Sequence, residues 1–149
     1  MMISVDVRAA NGICEIYLSG KIDEKLDVAA IASQAGQATK VRLSLAQVRS
    51  ISSMGLRSVE SLVEALGRGR DLVLSDISPA LATQMAVIPN LCGGVAVEAA
   101  RLPFVCPACS AEASHMVPWK ANALATLSPK CTCGAVMELD GLAEQYLPS

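Results

Sequence analysis

The feature that most constrains this chain is a repeated change of apolar period along its first hundred residues. Residues 2–7 alternate, with Ile3, Val5 and Val7 on one face, as in a half-buried strand. Asn11-Gly12 follows, and both residue types tolerate the positive φ of a tight hairpin turn. Cys14, Ile16 and Leu18 then alternate in a second strand that stops at Ser19-Gly20, so the first two strands are expected to pair antiparallel. Residues 26–35 are alanine-rich and free of proline, which predicts a short helix with Leu26, Ala29, Ala30 and Ser33 at helical spacing. Alternation returns at residues 40–45, with Val41, Leu43 and Leu45 inward. Residues 52–66 carry the clearest helical stripe, Leu56, Val59, Leu62, Val63 and Leu66. Ser52 and Ser53 are suitable N-caps for it, and Gly67-Arg68-Gly69 is its stop. Leu72-Val73-Leu74 is a continuous apolar run, as a central parallel strand requires. Ser78-Pro79 opens a third helix, which buries Leu81, Met85 and Ile88 and ends at Pro89. A last strand is expected at residues 95–99.

Strands separated by helices imply parallel pairing and right-handed crossovers. The expected fold is therefore α/β, a mixed β-sheet with helices packed on it. Arg101-Leu102-Pro103 interrupts the pattern, which divides the chain into residues 1–101 and a cysteine-rich module at 104–149. With 149 residues, 52% of them apolar and 17% charged, the chain can bury a real core. Aromatic residues are only 3%, so that core must be aliphatic. No apolar run reaches the roughly 18 residues of a membrane-spanning helix. The N-terminus reads as a strand and not as a signal peptide, so a cytoplasmic protein is expected.

The six cysteines are unevenly placed. Cys14 and Cys92 stand alone in apolar surroundings and read as small core residues. Cys106-Pro107-Ala108-Cys109 is a metal-knuckle spacing, and Cys131-Thr132-Cys133-Gly134 follows after residues 110–130. Tetrahedral Zn²⁺ takes four soft ligands, and two knuckles on neighbouring hairpins provide them. The second knuckle is irregular. A Cys-x-x-Cys-Gly spacing would put a ligand at Lys130, so Cys131 has to take its place in a distorted turn. His115, the single histidine, is the alternative fourth ligand. A module of this size with one Trp and one Phe, Trp119 and Phe104, cannot build much core and needs a staple, and Zn²⁺ is the usual one in a reducing compartment. From Phe104 onward two lysines face four acidic residues, with no arginine. Phosphate contacts need cations, so the module is read as structural or protein-binding, without nucleic acid as a partner.

Ser52-Ser53 stands where a strand hands over to a helix N-terminus, a favourable place for a phosphate group as well as for a cap. The order of elements and this junction together resemble the STAS (anti-sigma-factor antagonist) family over about residues 1–100. Leu18-Ser19-Gly20-Lys21-Ile22-Asp23 is similar to the family's Leu-x-Gly-x-(Leu/Ile)-Asp. Val41-Arg42-Leu43-Ser44-Leu45, with Val48 and Ile51, is similar to the strand before the signature loop. Ser75-Asp76-Ile77-Ser78-Pro79 is similar to the turn into the third helix. Ser52-Ser53-Met54-Gly55-Leu56 occupies the place of the signature Asp-Ser-(Ser/Thr)-Gly-(Leu/Val), and alignment on Gly55 puts the family's phosphoacceptor at Ser53. The chain departs from the signature in having Ser52 for the aspartate and Met54 for the small hydroxyl residue.

The resemblance implies a non-enzymatic module that binds a protein partner, such as an anti-sigma factor or switch kinase. Ser53, Ser52 and Gly55 would form the switch, and Asp23 and Met54 the partner-binding edge. A phosphate there adds about two negative charges and could release a partner. The competing readings are a constitutive scaffold subunit, in which Ser53 only caps the helix, and a zinc- or thiol-based sensor centred on Cys106 and Cys109. The sequence has no Gly-rich phosphate loop and no assembly of nucleophile, base and acid around its one histidine.

Overall fold

The fold is given by a computed structural model that describes residues 3–88 and 90–148. Its first units are β1 (Ser4–Ala10) and β2 (Ile13–Ile22), joined at Asn11 (φ 54°) and Gly12 (φ 78°) as the turn chemistry requires. Helix α1 (Val28–Ser33) is capped by Asp27, whose Oδ1 accepts the Ala30 N–H at 3.0 Å. Strand β3 (Lys40–Ile51) leads into α2 (Ser53–Gly67), and β4 (Asp71–Ile77) into α3 (Pro79–Val87). β5 (Ala96–Val97), β6 (Ala99–Val105), β7 (Glu112–Pro118), β8 (Glu138–Leu139) and α4 (Ala143–Tyr146) complete the order. The strands lie in one sheet, β1-β2-β3-β4-β6-β7, with β5 paired to β4 and β8 to β6. β1 and β2 are antiparallel, β2-β3-β4 are parallel, and β6-β7 is an antiparallel hairpin. The mixed sheet with packed helices is the expected α/β architecture.

Alternation decides which residues make the core. Cys14, Ile16 and Leu18 of β2 and Val41, Leu43 and Leu45 of β3 are buried together with Leu74 of β4. Val59, Leu62, Val63 and Leu66 of α2 join the same cluster, with Leu56 partly buried. Cys14 and Cys92 are core residues, as their surroundings suggested. Between the buried positions of β2 and β3, Glu15, Tyr17 and Arg42 are half-exposed on the opposite side. There Arg42 pairs with Glu98 at 2.5 Å, holding that carboxyl below its ordinary range. Ser44 is buried, and its hydroxyl donates to Asp76 Oδ1, which also accepts the Ala46 N–H at 3.3 Å. These bonds satisfy the polar groups where the β3-β4 register shifts after Leu43.

Several expectations need correction. Ile3 and Val7 are half-buried, and Val5 is 42% exposed, because β1 is the sheet edge and only α1 flanks its apolar side. The buried residue of α1 is Ile31, with Leu26 and Ala35 beyond its ends; Ala29, Ala30 and Ser33 face out. In α3, Leu81 and Ala82 are buried and Met85 partly so, but Ile88 lies past the helix end and is 37% exposed. The expected stop at Pro89 and the expected first strand residue Met2 lie outside the described residues. The strand expected at residues 95–99 is two strands, parted at Glu98, whose N–H bonds to the Leu74 carbonyl. The interruption expected at Arg101-Leu102-Pro103 falls inside β6. Ala100, Leu102 and Phe104 alternate inward there, and the Pro103 carbonyl accepts the Asp140 N–H at 2.9 Å.

The start of α2 is set by a close approach. The Ser52 N–H bonds to the Ile22 carbonyl at 3.0 Å, and Ser52 Oγ accepts the Gly55 N–H at 3.0 Å. A Cβ on Gly55 would sit 2.3 Å from the Ile22 carbonyl oxygen and 3.0 Å from Asp23 Cα. Only glycine lets the first turn of α2 lie against the end of β2. Gly55→Ala is therefore expected to destabilise the fold by about 2 kcal/mol, since overpacking against backbone outweighs the roughly 1 kcal/mol gain in helix propensity. Thermal unfolding should show a midpoint lower by about 4–8 °C; an unchanged midpoint would remove the steric account. Ser52→Ala should cost about 1 kcal/mol as a lost cap, whereas Ser53→Ala should stay within about 0.5 kcal/mol in denaturant titration.

Candidate functional site

Two clusters stand out, one at the start of α2 and one at the end of the β6-β7 hairpin. At the first, the two adjacent serines are separated by geometry. Ser52 is the N-cap, extended at φ −83° and ψ 169°, with its hydroxyl committed to Gly55. Ser53 is the first residue of α2, is exposed, and its hydroxyl makes no hydrogen bond among the described residues. Met54 beside it is 52% exposed. Asp23 sits against the same turn, where its Oδ1 accepts the Lys25 N–H at 2.9 Å. The structure thus gathers Asp23, Ser52, Ser53, Met54 and Gly55 from two distant stretches of sequence, and divides capping from exposure between the two serines.

Next to Ser53 a cavity of about 370 Å³ opens between α2 and the end of α3. Leu56, Arg57 and Glu60 line it from α2, and Gln84, Ile88 and Asn90 from the other wall. Arg57 and the α3 wall were not anticipated from sequence. The signal available was the four-residue spacing from Ser53 to Arg57, which puts both on one helix face.

At the second cluster, Cys106, Cys109, Cys131 and Cys133 bring their sulfurs within 4.8 Å of one another. Cys106 and Cys133 are 3.5 Å apart, as are Cys109 and Cys131. A tetrahedral thiolate site has metal–sulfur bonds of about 2.3 Å, and so sulfurs roughly 3.8 Å apart. The four thiols fit that requirement. The irregular second knuckle also has a simple account. Both knuckles close with a hydrogen bond back to their first cysteine and a residue of positive φ directly after their second. In the first, the Ser110 N–H bonds to the Cys106 carbonyl at 2.9 Å and Ser110 has φ 65°. In the second, the Gly134 N–H bonds to the Cys131 carbonyl at 2.9 Å and Gly134 has φ 97°. The second turn is one residue shorter, so its second cysteine comes one residue sooner. Lys130 is outside the turn, bridged to Val136 as part of the small hairpin. Cys131 takes the buried position that Cys106 has in the first knuckle.

The local donors favour thiolate. The Cys109 backbone N–H lowers the pKa of Cys106, and the Cys133 N–H, with help from the Cys109 thiol, brings Cys131 down to about 6. At Cys109 the Ala111 N–H also favours the thiolate, but the three neighbouring thiols outweigh it and push the group up to about 12. Crowded thiols of this kind cannot all ionise alone, and a cation among them is what relieves the repulsion. His115 is not among the sulfur cluster. Its ring stands edge-on to Phe104 with centroids 5.2 Å apart, and its Nε2 is buried without a hydrogen-bond partner.

Comparison with known proteins bears on the first cluster. Among solved structures, the crystal structure of an anti-sigma factor antagonist from Mycobacterium paratuberculosis is similar to this chain at 23% identity and a TM-score of 0.42. That similarity covers 53% of this chain and 71% of the other. No curated protein matches. The STAS domain family model matches residues 4–90, which span β1 to α3 and include Gly55 and both serines. With more than half of its length matched in this way, the chain belongs to the STAS domain family.

Proposed function

We propose that this protein is a non-enzymatic regulator that binds a protein partner through the surface around Ser53, and that phosphorylation of Ser53 switches the binding. Membership of the STAS family supports a role in regulatory protein interaction. The observation that carries the finer reading is the division of labour between the serines. Ser52 does the structural work, and Ser53 is left exposed with an uncommitted hydroxyl beside the exposed Met54. A partner surface would rest on Met54 and the Asp23 turn, and a phosphate would put two negative charges into that contact. An anti-sigma factor or a switch kinase is the kind of partner that this reading favours. The tail has more acidic than basic residues, which disfavours nucleic acid. No helix among the described residues is long and apolar enough to cross a membrane. We place the protein in the cytoplasm, whose reducing conditions suit a cluster of free thiols.

The test is an affinity pull-down from native cell lysate read by mass spectrometry, with wild type against Ser53→Glu. A sigma-regulating or kinase-type protein captured by wild type and lost with Ser53→Glu is the expected result. Identical partners with both proteins would instead favour a constitutive scaffold.

We further propose that Cys106, Cys109, Cys131 and Cys133 hold a structural Zn²⁺. The sulfur spacing and the lowered pKa of Cys106 and Cys131 support this reading. The ion would tie the tip of the β6-β7 hairpin to the segment that leads into β8 and α4. Purified protein is expected to carry one zinc per chain by elemental analysis, and Cys131→Ser should lose it. Gly134→Ala is a finer check. No atom crowds that position, so the only cost is the φ of 97°, a conformation that L-residues rarely adopt. A cost of about 1–2 kcal/mol in the bound knuckle would weaken zinc affinity some 5- to 30-fold in a chelator competition. Unchanged affinity would mean that the turn does not form as described.

A further inference from the structure

Ser53 and Arg57 are one helical turn apart on α2 and line the same cavity, opposite Gln84 and Asn90. Arg57 is exposed and forms no ion pair among the described residues, in contrast to Arg68, which pairs with Glu64 at 3.1 Å four residues away. Acid N-terminal to base at this spacing is the favourable order on a helix. A guanidinium also offers paired N–H donors that match phosphate oxygens. The residue before the acceptor is the neutral Ser52, so no carboxylate stands next to Ser53 on its N-terminal side. Among the described residues, the charged groups that line the cavity are Arg57 and Glu60 from α2, Asp23 follows β2 against the same turn, and the α3 side offers the neutral Gln84 and Asn90.

Resting on the reading of Ser53 as a phosphoacceptor, we propose that Arg57 is the built-in receptor for a phosphate on Ser53, drawing it into the cavity between α2 and α3. In the modification, the Ser53 Oγ–P bond forms and the bond from the γ-phosphorus of a nucleoside triphosphate to its bridging oxygen breaks. The nucleoside diphosphate leaves, and the hydroxyl proton goes to the kinase's base. The phosphate then meets Arg57 along the helix and the side-chain amides of Gln84 and Asn90 across the cavity. A partner would sense a filled and partly neutralised cavity, and not a free dianion pointing into solvent. Arg57 is therefore a positioning residue of the switch, and it sets how much of the new charge a partner meets.

The test installs phosphoserine at position 53 during translation in the full chain, so that it depends on neither the kinase nor the partner. ³¹P NMR titration reads the second ionisation of the phosphate, about pH 6 when unperturbed. Arg57→Gln should raise that pKa by roughly half a unit relative to the parent, the size of one helical ion pair. Arg57→Lys should keep part of the effect, and Arg68→Gln should leave it unchanged. The difference between parent and Arg57→Gln should shrink in about 1 M salt. An Arg57→Gln value within about 0.1 unit of the parent overturns the proposal. Loss of partner switching in the pull-down, with the NMR shift intact, would instead overturn the reading of Ser53 and leave the phosphate receptor standing.

Discussion

The close approach of Gly55 to the Ile22 carbonyl is the contact on which the rest of the STAS unit depends. It fixes the end of β2 against the first turn of α2, so that the Ser52 N–H can bond to the same carbonyl. Once α2 is placed at that end, Val59, Leu62 and Leu66 fall onto the buried side of β2, β3 and β4 without further adjustment. The contact also explains why two stretches of the family pattern, residues 18–23 and 52–56, occur together. They are the two sides of one tight junction, and a Cβ at Gly55 would open a gap between sheet and helix.

The same junction separates capping from exposure at adjacent positions. Ser52 points back along its own helix and completes the backbone hydrogen bonding there. Ser53 is rotated by one helical step and points away. A substitution at one therefore perturbs folding, and at the other it perturbs what the surface presents. Regulation by modification needs such a residue, because the group must accept a bulky anion without unfolding the element that carries it.

Most of the fold was legible because its strands and helices have distinct periods and clean punctuation, as at Asn11-Gly12, Ser78-Pro79 and the stripe from Leu56 to Leu66. The failures have physical causes. Val5 and Ile88 are apolar but lie at the edge of the sheet and beyond a helix end, where nothing is available to bury them. In β6, Pro103 read as a break, although Ala100, Leu102 and Phe104 alternate through it; a proline needs only to be spared its N–H, not to end a strand. β7 was missed because an outer strand has mostly exposed residues and leaves little alternation to read. Of the site, the four cysteines were visible by spacing, and the shortened second knuckle was not, since its regularity lies in backbone conformation after the second cysteine. Arg57 escaped notice because its meaning depends on Gln84, Ile88 and Asn90, which only the fold brings opposite.

Strand β6 carries a consequence for how the two ends of the molecule can be parted. It meets β4 through Ala100, β7 along its whole length and β8 near Phe104, and it runs directly into Cys106. From Ala99 to Val105 the backbone that leads into the thiol cluster is thus pleated into the sheet and gives a protease no slack loop to enter. A pull applied from the cysteine end would load this ladder in shear, against many hydrogen bonds at once, and would be felt at β4 next to Asp76 before any tether could stretch. The thiol cluster is, in mechanical terms, spliced to the regulatory sheet and not hung from it.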